Sequence, residues 1–247
     1  MDEDKLKRSH DRKTANRANM AGKMSLLKNA FSLPSGKNYS CPGATSVCDG
    51  VCYAGKLEKQ YPAFRNLALH NWELLKDASY GEMQEMLTTM INEFVSECDQ
   101  YKASKVFRWH ADGDIFSSKY AWAIRYIAFK FPDVQFWIYT RSFQYVKFLK
   151  GARNLSVYLS VDSENESEAL KTRESNSWVR LAYLSETHED SKEFMLTNTG
   201  KPGAICPENA KRIPLITENG GACVTCGLCI FGKADIRFAS KVPKRRK

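Results

Sequence analysis

Seven of the eight cysteines in this 247-residue chain fall into two groups whose spacing suits metal binding. The first, Cys41-Pro-Gly-Ala-Thr-Ser-Val-Cys48-Asp-Gly-Val-Cys52, sets three thiols on a short loop with Gly43 and Gly50. A [4Fe–4S] cluster takes one cysteine per iron, so three thiolates leave one iron open to a small-molecule ligand. A zinc ion there would need a fourth ligand from elsewhere or an open catalytic position. The second group is Cys206-Pro207 followed by Cys223-Val-Thr-Cys226-Gly-Leu-Cys229. It repeats the elements of bacterial ferredoxin ligation, although there the Cys-Pro follows the run. Four thiolates also make a closed zinc site, and spacing alone leaves both metals open. Cys98 stands by itself in a helical pattern and reads as a small core residue.

A second set of candidates lies where strands should end. Lys105-Val-Phe-Arg-Trp-His110 reads as a strand, and His110, Asp112 and Asp114 close it. Val134–Thr140 reads as the next, ended by Thr140, Arg141 and Ser142, and Leu155–Val161 as a third, ended by Asp162. Ligands of parallel α/β folds bind at the carboxyl ends of strands, so these side chains should converge on one face. Capping explains Asp162 or Ser142 taken singly. A histidine and two carboxylates within five residues exceed what capping requires, and could also serve a divalent ion in a hydrolase.

The elements that must position these groups are legible in outline. Helical patterns run from about residue 63 to 75 and from 80 to 101, with Met83, Met86, Leu87, Met90, Ile91 and Phe94 forming a core stripe. Strands then alternate with helices through Val179–Leu184. That rhythm predicts an α/β fold with a parallel sheet, read here as a partial (β/α) barrel with cysteine-rich metal-binding loops. Three parts are expected: a polar basic lead-in over 1–32, the barrel-like domain over 33–232, and a last strand with a basic tail over 233–247. The domain would carry the cluster loop at 41–52 and the cysteine-rich segment at 206–229.

The opening residues are hydrophilic and no long apolar run follows, so neither a secretory signal nor a membrane span is expected. A cytoplasmic setting follows, where clustered thiols bind metal more often than they form disulfides. The net charge of +9 is concentrated at the ends: residues 1–37 carry nine Lys/Arg against four acids, and residues 233–247 seven against one. The termini are thus expected to attract nucleic acid non-specifically, or to be solvated only.

Four motifs in order give the chain a family resemblance: Cys41-Pro-Gly-Ala through Cys52-Tyr-Ala; Arg108-Trp-His-Ala-Asp-Gly-Asp114; Phe136-Trp-Ile-Tyr-Thr-Arg-Ser142; and the Cys206-Pro…Cys-x2-Cys-Gly-Leu-Cys ending. Across roughly residues 33 to 240 it resembles the phage gene-product-88-like family, which is similar in turn to radical S-adenosylmethionine (radical SAM) enzymes. The resemblance implies a partial barrel with Cys41, Cys48 and Cys52 as ligands of the cluster that binds SAM. Tyr53, His110, Asp112, Asp114 and Arg141 would shape the pocket, and Cys206, Cys223, Cys226 and Cys229 would hold an auxiliary cluster or a zinc. His110, Asp112, Asp114 and Arg141 are then the catalytic candidates, and Tyr53, Thr140, Ser142 and Asp162 the cofactor-binding ones. An electron donor is implied, with a host cytoplasmic setting and a substrate that is a nucleic acid or nucleotide. The spacing departs from the common C-x3-C-x2-C of radical SAM enzymes, and the aromatic follows the last cysteine. No Gly-Gly-Glu-like segment follows the next strand. The contrasting reading is a non-catalytic, metal-stapled protein that binds nucleic acid.

Overall fold

The computed structural model describes residues 4–15, 20–21, 24–25 and 27–241, so the basic tail beyond Lys241 lies outside the described residues. Strands in chain order are β1 (Met20–Ala21), β2 (Met24–Ser25), β3 (Ala30–Ser32), β4 (Val106–Asp112), β5 (Gln135–Thr140), β6 (Leu155–Val161), β7 (Arg180–Ser185), β8 (Ala204–Ile205), β9 (Ile216–Thr217), β10 (Gly220–Gly221) and β11 (Ile236–Ala239). Helices are α1 (Ser46–Val51), α2 (Tyr53–Gln60), α3 (Pro62–Leu75), α4 (Tyr80–Gln100), α5 (Ser118–Lys130), α6 (Glu166–Ser175), α7 (His188–Thr199) and α8 (Ala222–Cys226), with a 3-10 segment at Phe143–Leu149.

Helix starts follow local chemistry. Ser79 and Glu82 form a capping box on α4, Thr187 and Asp190 another on α7, and Ser117 caps α5. Pro62 begins α3, where its missing N–H costs nothing.

Seven strands form one parallel sheet in the order β3-β4-β5-β6-β7-β11-β8. From β3 to β7 each strand lies beside its predecessor. Buried residues of α4, α5, α6 and α7 share one apolar cluster with one face of this sheet, so these helices lie on a single side of it. The expected barrel does not close among the described residues: the sheet ends at β3 and β8.

Both faces are buried, which is why the strands read as nearly continuous apolar runs. On the helix side Phe107, Trp109, Phe136, Ile138, Leu159 and Leu181 join the methionine stripe of α4, and Cys98 is buried among them as expected. The alternate residues Val106, Trp137, Tyr158, Ala182 and Ile236 face the other way. There the chain covers itself: Leu228, Cys229 and Ile230 of the cysteine-rich segment fill the inner face.

The segment expected as a polar lead-in is integrated where it is described. Leu6, Arg8, Ser9 and Asp11 are buried. Ser9 bridges Ala30 on the edge of β3, Arg8 pairs with Glu97 at 2.6 Å, and Lys7 N–H donates to Asn71. Gly221 lies against the backbone of Arg12 and Lys13 with no room for a Cβ, so this segment also touches the cysteine-rich region.

Candidate functional site

Loop 33–45 leaves β3 and lies across the carboxyl ends of the next strands. Two glycines make this approach possible. A Cβ on Gly43 would overlap the Arg141 carbonyl, with its carbon only 2.6 Å away, just past the end of β5. A Cβ on Gly113, at φ +83°, would sit 2.5 Å from Ser40 Oγ and 2.7 Å from Leu33 Cβ, just past β4. Backbone packed this closely admits only glycine.

Hydrogen bonds then fix the loop. Thr45 caps α1, accepting from the Cys48 N–H at 3.0 Å, and its hydroxyl donates to Asp162 at 2.6 Å. Asp162 is fully buried at the end of β6 and also takes an ion pair from Arg141. Asp114 accepts from the N–H groups of Arg141 and Ile115, both at 2.7 Å, and from the Thr140 hydroxyl. Burial is the main reason that its carboxyl is still pushed up to about 6. Asp114, Asp162, Thr140 and Arg141 thus act as clamps that seat the loop. Ser142 is buried behind them with its N–H on Thr140 Oγ1.

Cys41, Cys48 and Cys52 are all half-buried and unpaired. Burial, with Asp114 and Asp112 nearby, pushes the Cys41 thiol up to about 12. Cys48 donates to Cys52, which raises the first thiol and lowers the second. Cys52 is also the N-cap of α2, where the Gly55 N–H donates to its sulfur at 3.4 Å, further favouring the thiolate. Arg141 favours the Cys48 thiolate. Tyr53 ties this turn to β4, donating to the Ala111 carbonyl at 2.8 Å and accepting from Arg108 at 2.9 Å.

Asp112 differs from the other carboxylates. One oxygen accepts the Gly113 N–H at 2.8 Å, while the other is buried with no N–H or hydroxyl donating to it, and the Glu58 carboxyl lies within hydrogen-bond reach of the group. Burial first, then neighbouring Glu58 and Cys52, pushes its carboxyl up to about 9. It is a proton-carrying group beside the cysteines, paired with the Glu58 carboxyl. Glu58, which itself accepts the Ser35 N–H at 2.8 Å, carried no sequence signal. Thr45 did carry one, standing three residues before Cys48 as an N-cap does.

His110 does not join Asp112 and Asp114 in a cluster. Its backbone is left-handed at φ 56°, at a bulge against β3, and its ring Nε2 meets Tyr120 Oη of α5 at 3.0 Å. Burial, with Arg108 adding to it, holds the ring neutral by lowering its pKa to about 3. The unfolded histidine titrates near 6.5, so the native state loses stability as pH falls from 6.5 toward 3, by about 1.4 kcal/mol per pH unit for this residue. His110→Asn keeps a side chain tolerated at positive φ and removes the titration. Its acid denaturation profile is expected to be flatter below pH 6.5, measured by urea unfolding at several pH values; an unchanged profile refutes the assignment.

The second cysteine group covers the inner face of the sheet. Cys206, Cys223, Cys226 and Cys229 line one small cavity with Ile213, Leu228 and Ile236. Gly227 ends α8 at φ 68°, turning the chain so that Cys229 follows Cys226 into the cavity. Burial pushes Cys229 up to about 12 against the Tyr139 hydroxyl, which donates to it, and raises Cys206 and Cys223 as well. Arg108 links this region to the first group: it pairs with Asp11 at 2.9 Å, stacks over Trp137 and lies near Cys223. Among the described residues no group of three or more His, Cys, Asp or Glu converges on a single ion. The donor chemistry nevertheless fits a thiophilic group at both places: half-buried thiols, N–H and O–H donors to sulfur, and no competing disulfide.

A family model described as Gene product 88 matches residues 4–232. The chain is 42% identical over 243 residues to the Gene 88 protein of Mycobacterium phage L5, covering 96% of this chain and 98% of that one. It is 41% identical over 242 residues to the Gene 88 protein of Mycobacterium phage D29, covering 95% and 98%. No solved structure matches the chain. No helix among the described residues is long and apolar enough to cross a membrane.

Proposed function

The chain belongs to the gene product 88 family, and from that premise and the geometry of the site we propose that it is a radical SAM-like iron–sulfur protein. The observation that carries this reading is the placement of the first cysteine group. It sits on the loop after β3, the edge strand of a parallel sheet that runs in chain order from β3 to β7, seated by Gly43 and Gly113 on the ends of β4 and β5. Ligands of such sheets are held at that edge.

In this reading Cys41, Cys48 and Cys52 hold a [4Fe–4S] cluster with one iron open, and Cys206, Cys223, Cys226 and Cys229 hold a second cluster or a zinc. When bound and reduced, the first cluster supplies the electron that cleaves SAM. The chain's own residues hold and orient. Arg141, Asp162 and Thr45 fix α1 and so the position of Cys48. Asp112, with Glu58 beside it, would offer carboxylate oxygen to a ligand's ammonium group, whose charge would lower the carboxyl's pKa and strengthen the contact. Tyr53 and Arg108 tie the turn after Cys52 to β4. An electron donor of the host cytoplasm and a nucleotide or nucleic-acid substrate complete the proposal.

The test is the iron and acid-labile sulfide content of anaerobically purified protein, wild type against Cys48→Ala, followed by SAM cleavage. Iron with sulfide that falls by about one cluster in the variant, with 5′-deoxyadenosine formed only by wild type, is expected. Zinc without sulfide, unchanged in the variant, overturns the reading and leaves a metal-stapled binding protein.

A further inference from the structure

The outer wall of the helix layer carries a surface that the site does not use. Helix α5 and the 3-10 segment Phe143–Leu149 pack side by side and expose a row of aromatic rings. Trp122 is 40% exposed and Phe129 53%. Trp122 meets half-buried Phe148 with ring centroids 5.7 Å apart. The Arg125 guanidinium lies over both Trp122, at 4.8 Å, and Phe129, at 5.1 Å, bridging the rings into one strip. Gly151 closes the end of the strip, with its Cβ position 3.5 Å from the Phe129 ring.

Charge on this wall is mainly positive. Between Ser118 and Arg153, Lys119 is spent on the Ala78 carbonyl and Arg141 on Asp162. That leaves Arg125, Lys130, Lys147, Lys150 and Arg153 against the one acid of the stretch, Asp133. None of these five forms a salt bridge among the described residues. Lys147 also lies over Phe148, at 5.1 Å, and Lys130 over Tyr126, at 5.5 Å. Glu168 of α6 borders the far side, beside Phe143 and Lys147.

We propose that the strip of Trp122, Arg125, Phe129 and Phe148, flanked by Lys147 and Lys150, is a docking surface for single-stranded nucleic acid. Unpaired bases have flat π faces that stack on exposed rings, and the flanking cations attract backbone phosphates without reading sequence. A duplex keeps its bases stacked on one another and offers the rings nothing. An acidic protein would satisfy the lysines but not the aromatic strip. The proposal stands apart from the cysteine chemistry and survives if no cluster is found.

The experiment is fluorescence anisotropy of a labelled twenty-nucleotide oligothymidylate and of a duplex of equal length, with the full chain. Wild type is expected to prefer the single strand, with an affinity that falls steeply with salt. Trp122→Ala and Phe129→Ala should each weaken single-strand binding about tenfold, and Lys147→Glu with Lys150→Glu by more than that, with a flatter salt dependence. These positions are on the surface, so unchanged circular dichroism and melting serve as the folding control. Wild type that does not bind, variants that bind like wild type, equal binding of the duplex, or loss of binding only on truncation after Lys241 would each overturn the proposal.

Discussion

Asp162→Ala is expected to be among the most destabilising single substitutions at the carboxyl edge, costing about 3–5 kcal/mol. The reason is not the worth of the Arg141–Asp162 pair itself, since a buried pair roughly offsets its own desolvation. It is what removal leaves behind. Arg141 is 11% exposed at its side chain, so its guanidinium would stay buried beside Cys48 with no counter-charge. The Thr45 hydroxyl would lose its acceptor, and the Glu164 N–H, which donates to Asp162 at 3.0 Å, would lose its partner too. Urea unfolding monitored by circular dichroism measures the loss. Arg141→Met with Asp162→Leu removes both charges together and should recover most of it. A single variant within 1 kcal/mol of wild type, roughly the worth of an exposed pair, would mean that water reaches the pair.

Gly43→Ala should have the second large effect, and a local one. The added methyl would overlap the Arg141 carbonyl, and the atoms it meets are backbone rather than the end of a mobile side chain. The loop must lift, at a cost of about 1–3 kcal/mol or more. Because Gly43 lies between Cys41 and Cys48, the readout expected under the proposed function is selective: any metal held by the first group falls sharply, while any held by the second group and the global fold persist. Limited proteolysis should find a new cut in loop 33–45. Full metal content with an intact loop would show that the contact with β5 does not hold the cysteines in place.

The strands from β4 to β7 were legible because burial on both faces writes itself as apolar runs, and these match the observed spans within a residue or two. The carboxyl-edge residues were legible as a set for the same reason, since strand ends fix where Asp112, Thr140 and Asp162 must stand. Their roles were not. Whether Asp114 is free or saturated depends on N–H groups of Arg141 and Ile115, and whether Asp162 is buried depends on Thr45, 117 residues away. No local window holds that information. His110 shows the same limit: a left-handed backbone at a bulge turns its ring to Tyr120, and periodicity carries no sign of it. Residues 4–15 read as polar lead-in because their partners, Glu97, Asn71 and Arg108, are distant in sequence. β3 is only three residues long and too short to announce itself.

The inner face of the sheet is closed by two segments from opposite parts of the chain. The Gly221 N–H donates to the Ala15 carbonyl at 2.6 Å, Lys13 pairs with Glu208 at 3.0 Å, and β11 enters the sheet between β7 and β8. During synthesis the helix layer and strands β3 to β7 can assemble in order, each on its predecessor. The inner face cannot close until Ile236–Ala239 has left the ribosome. Contacts of this sequence separation make the last step slow. Until the cysteine-rich segment docks over Trp137, and that segment and β11 over Tyr158, these rings lack the cover they have in the folded chain, an exposure of the kind that favours aggregation.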